Sequence, residues 1–235
     1  MLPKISTPTF ETKLPSTGDK IFYRPFLVKE EKILLMARET GEINEVYNAI
    51  KQVINNCVMV DGFDIDMCAT FDLEYLFIKI RAVSVGNIVK FKVTDSDDGI
   101  EYDLQVDLNE VEIKMPKEVN DKIELSEGVG LSMRYPTPEI SDKLKDLKTV
   151  NDITHAMIKE CIVTVWDKDE VHAWNQASET EKDLFLEMLP VDEYTKMGKF
   201  FKNMPKLEHT VEYTNSNGKK KKTVFRSLND FFTLG

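Results

Sequence analysis

Residues 71–86, FDLEYLFIKIRAVSVG, have the spacing of an α-helix but too many apolar positions for one buried face. At about 100° per residue, Leu73, Leu76, Phe77, Ile80 and Val83 fall in one sector. Tyr75, Ile78, Ala82 and Val85 fall in another, on the far side. Asp72 and Lys79 form a narrow polar row between the sectors, Glu74 and Arg81 form the other, and Gly86 ends the helix. A helix that is apolar nearly all round is a buried one. At about 25 cal/mol per Å² of apolar surface, leaving the second stripe in water would forgo several kcal/mol. Two coverings fit. Either the second stripe packs inside its own domain, or Tyr75, Ile78, Ala82 and Val85 meet another protein.

The segments on either side make the contrast. Residues 42–57, EINEVYNAIKQVINNC, place Ile43, Val46, Tyr47, Ile50, Val53, Ile54 and Cys57 on one helical face. Residues 9–28 read as a hairpin turning at Pro15-Ser16-Thr17-Gly18, and EEKILLMARE reads as a short helix closed by Gly41. Strand signals dominate from 87 to 135, where NIVKFKVT and IEYDLQVDL flank the turn pair Asp98-Gly99, followed by VEIKM, KIELS and VGLSMRY. Thr137-Pro138-Glu139 then opens a helical region, with Thr as cap and Pro at the first position. Apolar spacing continues through 149–166, but VTVW (163–166) fits strand and helix equally. Ser178-Glu179-Thr180-Glu181 is a capping box, Pro190 begins another segment, and a second hairpin turns at Asn217-Gly218. Ser227 can cap a last helical turn. The expected fold is α+β, helices packed with antiparallel hairpins and a small antiparallel sheet. The weakest boundary lies near 136. It separates a hairpin, two helices and central strands (1–136) from a helical segment ending in a hairpin (137–235), although one continuous domain also fits.

Composition narrows the function classes. The chain has 235 residues, 42% hydrophobic and 31% charged, which suits a globular protein with a real core. A net charge of −10 argues against a general grip on nucleic acid. No apolar run approaches the ~18 residues of a membrane span, and the N-terminus has no apolar signal core. Cys57, Cys68 and Cys161 are odd in number and widely spaced, which reads as reduced thiols.

No motif in the chain demands catalysis. DGFDID (61–66) and DSDDGIE (95–101) are carboxylate-rich but lack the alternating ligands and central Gly of a calcium loop; the second reads as an acidic hairpin tip. EGVGLS (127–132) has G-x-G without the third Gly or a following helix, so it reads as a turn between strands. His155, Cys161 and His172 lack zinc spacing and carry the alternative reading, a metal-dependent or host-directed enzyme. Lys219, Lys220, Lys221 and Lys222 form the only basic run. They solvate a hairpin tip or touch an acidic protein partner, with phosphate contact the weaker reading. Phe231 and Phe232 dock onto the chain itself or anchor a partner. No metal or cofactor is expected.

Four stretches together resemble a known family. LPKISTPTFETKLPSTGDKIFYRPFLVKEEKILLMA (2–37) resembles the N-terminus of the baseplate hub proteins of T-even-type contractile-tail bacteriophages. FDLEYLFIKIRAVSVG is similar to the family's central segment, MRYPTPE (133–139) to its next marker, and FFKNMPKLEHTVEY (200–213) with LNDFF (228–232) to its C-terminal end. The resemblance covers nearly the whole chain in matching order. It implies a non-enzymatic hub subunit or assembly factor whose partners are other hub proteins or the tape-measure protein. The implied location is the host cytoplasm during assembly and, for a lasting subunit, the virion tail baseplate. Some members carry paired cysteines at hairpin tips, whereas here the tips read DSDDG (95–99) and NSNGKKKK (215–222), without cysteine.

Overall fold

The structure is a computed structural model that describes residues 5–117, 120–126, 128–228 and 230. In chain order the elements are β1 (Phe10–Lys13), β2 (Lys20–Tyr23), α1 (Val28–Thr40), α2 (Ile43–Cys57), α3 (Thr70–Val85), β3 (Ile88–Thr94), β4 (Glu101–Asp107) and β5 (Ile113–Lys114). Then come β6 (Lys122–Ser126), β7 (Val129–Met133), α4 (Pro138–Leu144), α5 (Val150–Cys161), β8 (Ile162–Trp166), β9 (Val171–Ala173), α6 (Glu179–Glu187) and α7 (Val191–Lys202). Last are β10 (Lys206–Leu207), β11 (His209–Thr214) and β12 (Lys220–Phe225). Among the described residues, seven α-helices with small antiparallel sheets make this the α+β fold that the sequence predicts.

Two compact units emerge, Met1–Lys114 with Lys206–Gly235, and Met115–Pro205. Position 136, the weakest boundary in the sequence, falls between β7 and α4 in the second of these units. β7 pairs with β8, so the sheet β6-β7-β8-β9 runs across that position and cannot be divided there. The chain leaves the first unit at β5 and returns at β10, and these two strands pair antiparallel, Lys114 opposite Lys206 and Ile113 opposite Leu207. The second unit is therefore an insertion between two paired strands.

Within the first unit, both stripes of α3 are covered except at Val85. Leu73, Leu76, Ile78 and Ile80 have no exposed surface, and Ala82 is buried with them. α2 packs along the helix, with the turn Leu108–Glu110 and β10 against other sides. The Asp72/Lys79 row is not a solvent row. Asp72 is fully buried and accepts hydrogen bonds from Ser16 N (3.0 Å), Ser16 Oγ (2.5 Å) and Ala69 N (3.2 Å). Tyr75 Oη lies 2.9 Å from Thr12 Oγ1, and Lys79 Nζ donates to the carbonyls of Asn109 (3.0 Å) and Val111 (3.2 Å). One side of α3 thus holds the β1–β2 hairpin at its start and the Leu108–Glu110 turn further along. These polar groups satisfy loop backbone that would otherwise lie unpaired against an apolar helix.

A second buried charge fixes α1. Glu30 is fully buried and accepts from Leu27 N (2.8 Å) and from Arg24 Nη2 (3.1 Å), which also donates to the Asn56 carbonyl (2.9 Å). Burial pushes the Glu30 carboxyl up, but the Arg24 hydrogen bond and the Leu27 amide more than offset this and hold it below its usual value. The same Arg24–Glu30 pair ties the end of β2 to the start of α1 and the end of α2. Gly41, at φ 71°, closes α1 in the left-handed conformation that favours glycine.

The second unit packs α4–α7 against its four-stranded sheet around a core including Leu131, Met133, Ile140, Ile158, Cys161 and Met197. VTVW resolves as strand, within β8. Gly130 is the close approach: a Cβ there would lie 2.3 Å from the Trp166 ring and 2.7 Å from the Ile123 carbonyl oxygen. The capping signals at Thr137 and Ser178 are realised, and Thr149 caps α5 in the same way, each side chain accepting a backbone amide three residues on.

Two outcomes follow for α3. Asp72→Ala should destabilise the protein by about 2–3 kcal/mol in urea unfolding, because the Ser16 and Ala69 amides are left unpaired; a change near zero would show that these bonds contribute nothing. The Glu74 carboxyl is pushed up to about 7, first by burial and then by the nearby Asp230 charge. A carboxyl raised in the fold above its unfolded value favours the fold when protonated. Stability should therefore fall as pH rises from about 4.5 to about 7, by at most about 3 kcal/mol, and level off above. Glu74→Gln should remove that slope in denaturation curves measured across the window.

Candidate interaction surfaces

The second stripe of α3 divides between core and surface. Ile78 and Ala82 are buried within the chain and Tyr75 is half-buried against the β1–β2 hairpin, so these three serve the core. Only Val85 stands open, 54% exposed. The hydrogen bond from Phe26 N to Ser84 Oγ (2.9 Å) places it beside the start of α1, where Leu27 and Val28 are also exposed. Sequence reasoning assigned α1 no outer face. The signal was present: the consecutive apolar run Ile33-Leu34-Leu35-Met36 exceeds one buried stripe, and α1 fully buries only Glu30 and Ala37. Leu35 and Met36 are left in solvent.

The lysine run is folded back onto its own chain. Lys219 and Lys221 Nζ reach the Asp97 carboxylate at 3.2 and 2.8 Å, although the Lys219 side chain stays 65% exposed, and Lys220 and Lys222 are exposed as well. Around that contact the tips of hairpins β3–β4 and β11–β12 close on one another. Tyr213 Oη donates to Asp95 (2.8 Å), and Ser216 reaches Asp98 through both its amide (3.1 Å) and its hydroxyl (2.7 Å). The Tyr102 and Tyr213 rings lie 5.2 Å apart, and Phe91 meets Phe225 edge-on at 4.8 Å nearer the hairpin bases. Burial pushes Asp98 up, but the Ile100 amide and the Tyr102 and Ser216 hydroxyls hold it well below the usual carboxylate range. The hydrogen bond to Asp95, helped by burial, raises the Tyr213 phenol to about 12. Acidic and basic tips that look like separate surfaces in the sequence neutralise each other here. Phe231 and Phe232 lie outside the described residues.

His155, Cys161 and His172 have separate surroundings. His155 Nδ1 lies 3.1 Å from Tyr194 Oη, and His172, exposed on β9, has Asp167 at 3.6 Å. Cys161 is fully buried, and burial pushes its thiol to about 12. Such a thiol is not a ready nucleophile at neutral pH. Two clefts in the second unit, about 390 and about 510 Å³, include none of the three in their lining. Among the described residues no group of three or more His, Cys, Asp or Glu is placed to hold a metal, and no helix is long and apolar enough to cross a membrane. What the second unit does present is an apolar corner where α6 meets α7: Leu184, Met188 and Val191 are 54%, 74% and 83% exposed, beside the exposed Glu187 and Asp192.

The tip clamp is directly testable. Asp98→Ala removes the acceptor shared by the Ser216 amide and hydroxyl, so hydrogen exchange across residues 214–219 should speed by about tenfold or more while the rest of the chain keeps its protection. Unchanged exchange would mean that Asp98 does not hold the tips together.

No curated protein and no solved structure matches the chain. Residues 7–233, nearly the full length and both units, match the family described as T4 bacteriophage base plate protein. The chain belongs to the T4 bacteriophage base plate protein family.

Proposed function

We propose that this chain is a non-enzymatic component of the baseplate hub, a structural subunit or an assembly factor, which acts by binding other hub proteins or the tape-measure protein. The observation that carries the reading is the family match across 7–233, which takes in the four stretches that resemble hub proteins apart from the first five residues of the N-terminal one. The surfaces support it in kind. Apolar side chains that the fold leaves in solvent, at the α6–α7 corner and at Val85, suit contact with another protein. Lys220 and Lys222, outward on β12, are the members of the basic run still available to an acidic partner. The place of action is the host cytoplasm during tail assembly, and a lasting subunit would travel with the virion.

Co-expression with candidate hub proteins and the tape-measure protein, followed by affinity capture of this chain, tests the reading. At least one of them should co-purify. Leu184→Asp with Met188→Asp should abolish that capture while changing stability by no more than about 0.5 kcal/mol per site, because both side chains are exposed. Failure of every hub protein and the tape-measure protein to co-purify would sink the proposal. Peptide analysis of purified virions separates the two versions: presence marks a subunit, absence an assembly factor.

A further inference from the structure

The outward face of α1 has a pattern that matches itself. Glu30 and Ala37 define the inward direction of this 13-residue helix. On the opposite side, Val28 and Leu35 fall within about 20° of each other and form an apolar ridge. They are 67% and 50% exposed. Glu31 and Arg38 flank the ridge on one side, and Lys32 and Glu39 on the other, with Met36, 69% exposed, beside them.

Each flank therefore carries one acid and one base seven positions apart. Seven residues of helix span about 10 Å, beyond the reach of an ion pair within the helix, where partners stand three or four positions apart. Among the described residues, none of these four side chains has an ion pair within the chain, although all four are exposed. The order is opposite on the two flanks: acid then base on one, base then acid on the other.

We infer that α1 is a self-association surface whose partner is a second copy of this chain, docked antiparallel about a two-fold axis near Leu35. In that arrangement like flanks adjoin and run in opposite directions. Glu31 of each copy meets the other copy's Arg38, Lys32 meets the other copy's Glu39, and the two Leu35 side chains meet at the axis. A parallel two-fold pair would adjoin unlike flanks, Glu31 against Lys32 and Arg38 against Glu39, so the charges fit either sense; the antiparallel pair also sets the two helix dipoles in opposition, and exchanging the charges of Glu31 and Arg38 restores opposite-charge contacts in that pair alone. An isologous contact of this kind counts every interaction twice and closes at two copies. One helix face buries less than a standard interface, so the dimer should be weak, with a dissociation constant on the order of 10 μM. The inference rests on α1 alone and does not depend on the hub reading.

Sedimentation velocity of the full chain, from low micromolar to several hundred micromolar, tests it. The wild type should pass from monomer to dimer. Glu31→Arg places two Arg–Arg contacts in the interface and should weaken the dimer by about tenfold or more. Adding Arg38→Glu to Glu31→Arg restores opposite charges with reversed sense and should bring affinity back to within about threefold of wild type. Leu35→Asp should leave only monomer. All three positions are exposed, so each variant should keep the wild-type circular dichroism and melting temperature. A monomer at every concentration overturns the inference. So does a dimer indifferent to Leu35→Asp or Glu31→Arg, or one that the second substitution fails to restore.

Discussion

The first unit depends on the burial of a helix that cannot face water on either side. α3 carries two apolar stripes, and the same chain encloses both apart from Val85 at the end of the second. Enclosing a helix on all sides brings loops against it, and loops bring unpaired amides and carbonyls. Asp72, Tyr75 and Lys79 answer that need: the row that separates the stripes binds Ser16, Thr12 and the carbonyls of Asn109 and Val111. A carboxylate this deep is costly, and burial raises the Asp72 carboxyl despite its hydrogen bonds to Ser16 and Ala69. It persists because removing it would leave the donors themselves unsatisfied.

A similar economy of charge governs the rest of the unit. Glu30 is enclosed by Arg24 and the Leu27 amide, and the three acids of one hairpin tip are met by the tyrosine, serine and lysines of another. These contacts neutralise Asp97 at the tips and leave Lys220 and Lys222 as exposed basic groups there. What remains conspicuous outside is apolar, on α1 and Val85, while in the second unit it is the α6–α7 corner. For a member of a phage base plate protein family, such surfaces suit contact with other proteins of the tail.

Several features were legible in the residues alone, each for a local physical reason. Helix ends were signalled by Thr137, Ser178 and Gly41, because capping is decided within a few residues. Hairpin turns at Asp98-Gly99 and Asn217-Gly218 were signalled by the backbone conformations glycine permits. The periodicity of α2 named its buried face. Less visible were the short strands β9 and β10, two or three residues each, whose existence depends on distant partners at β8 and β5. The insertion of 115–205 was hidden for the same reason: two residues pairing with two others, 92 positions apart from Lys114 to Lys206, leave no periodic trace.

The sequence by itself determined that α3 must be buried on both sides, since an all-round apolar helix is unstable in water whatever surrounds it. It also determined most of the helices and the hairpins, though not VTVW, because propensity, capping and turn chemistry act over a few residues. Only the tertiary structure decided what does the covering. It took Ile78 and Ala82 into the core and left Val85 outside; it turned Lys219 and Lys221 onto Asp97 and left Lys220 and Lys222 in solvent. Which face of a helix is enclosed, and which charge finds a partner, depends on the arrival of segments far away in the chain, and no local pattern encodes that.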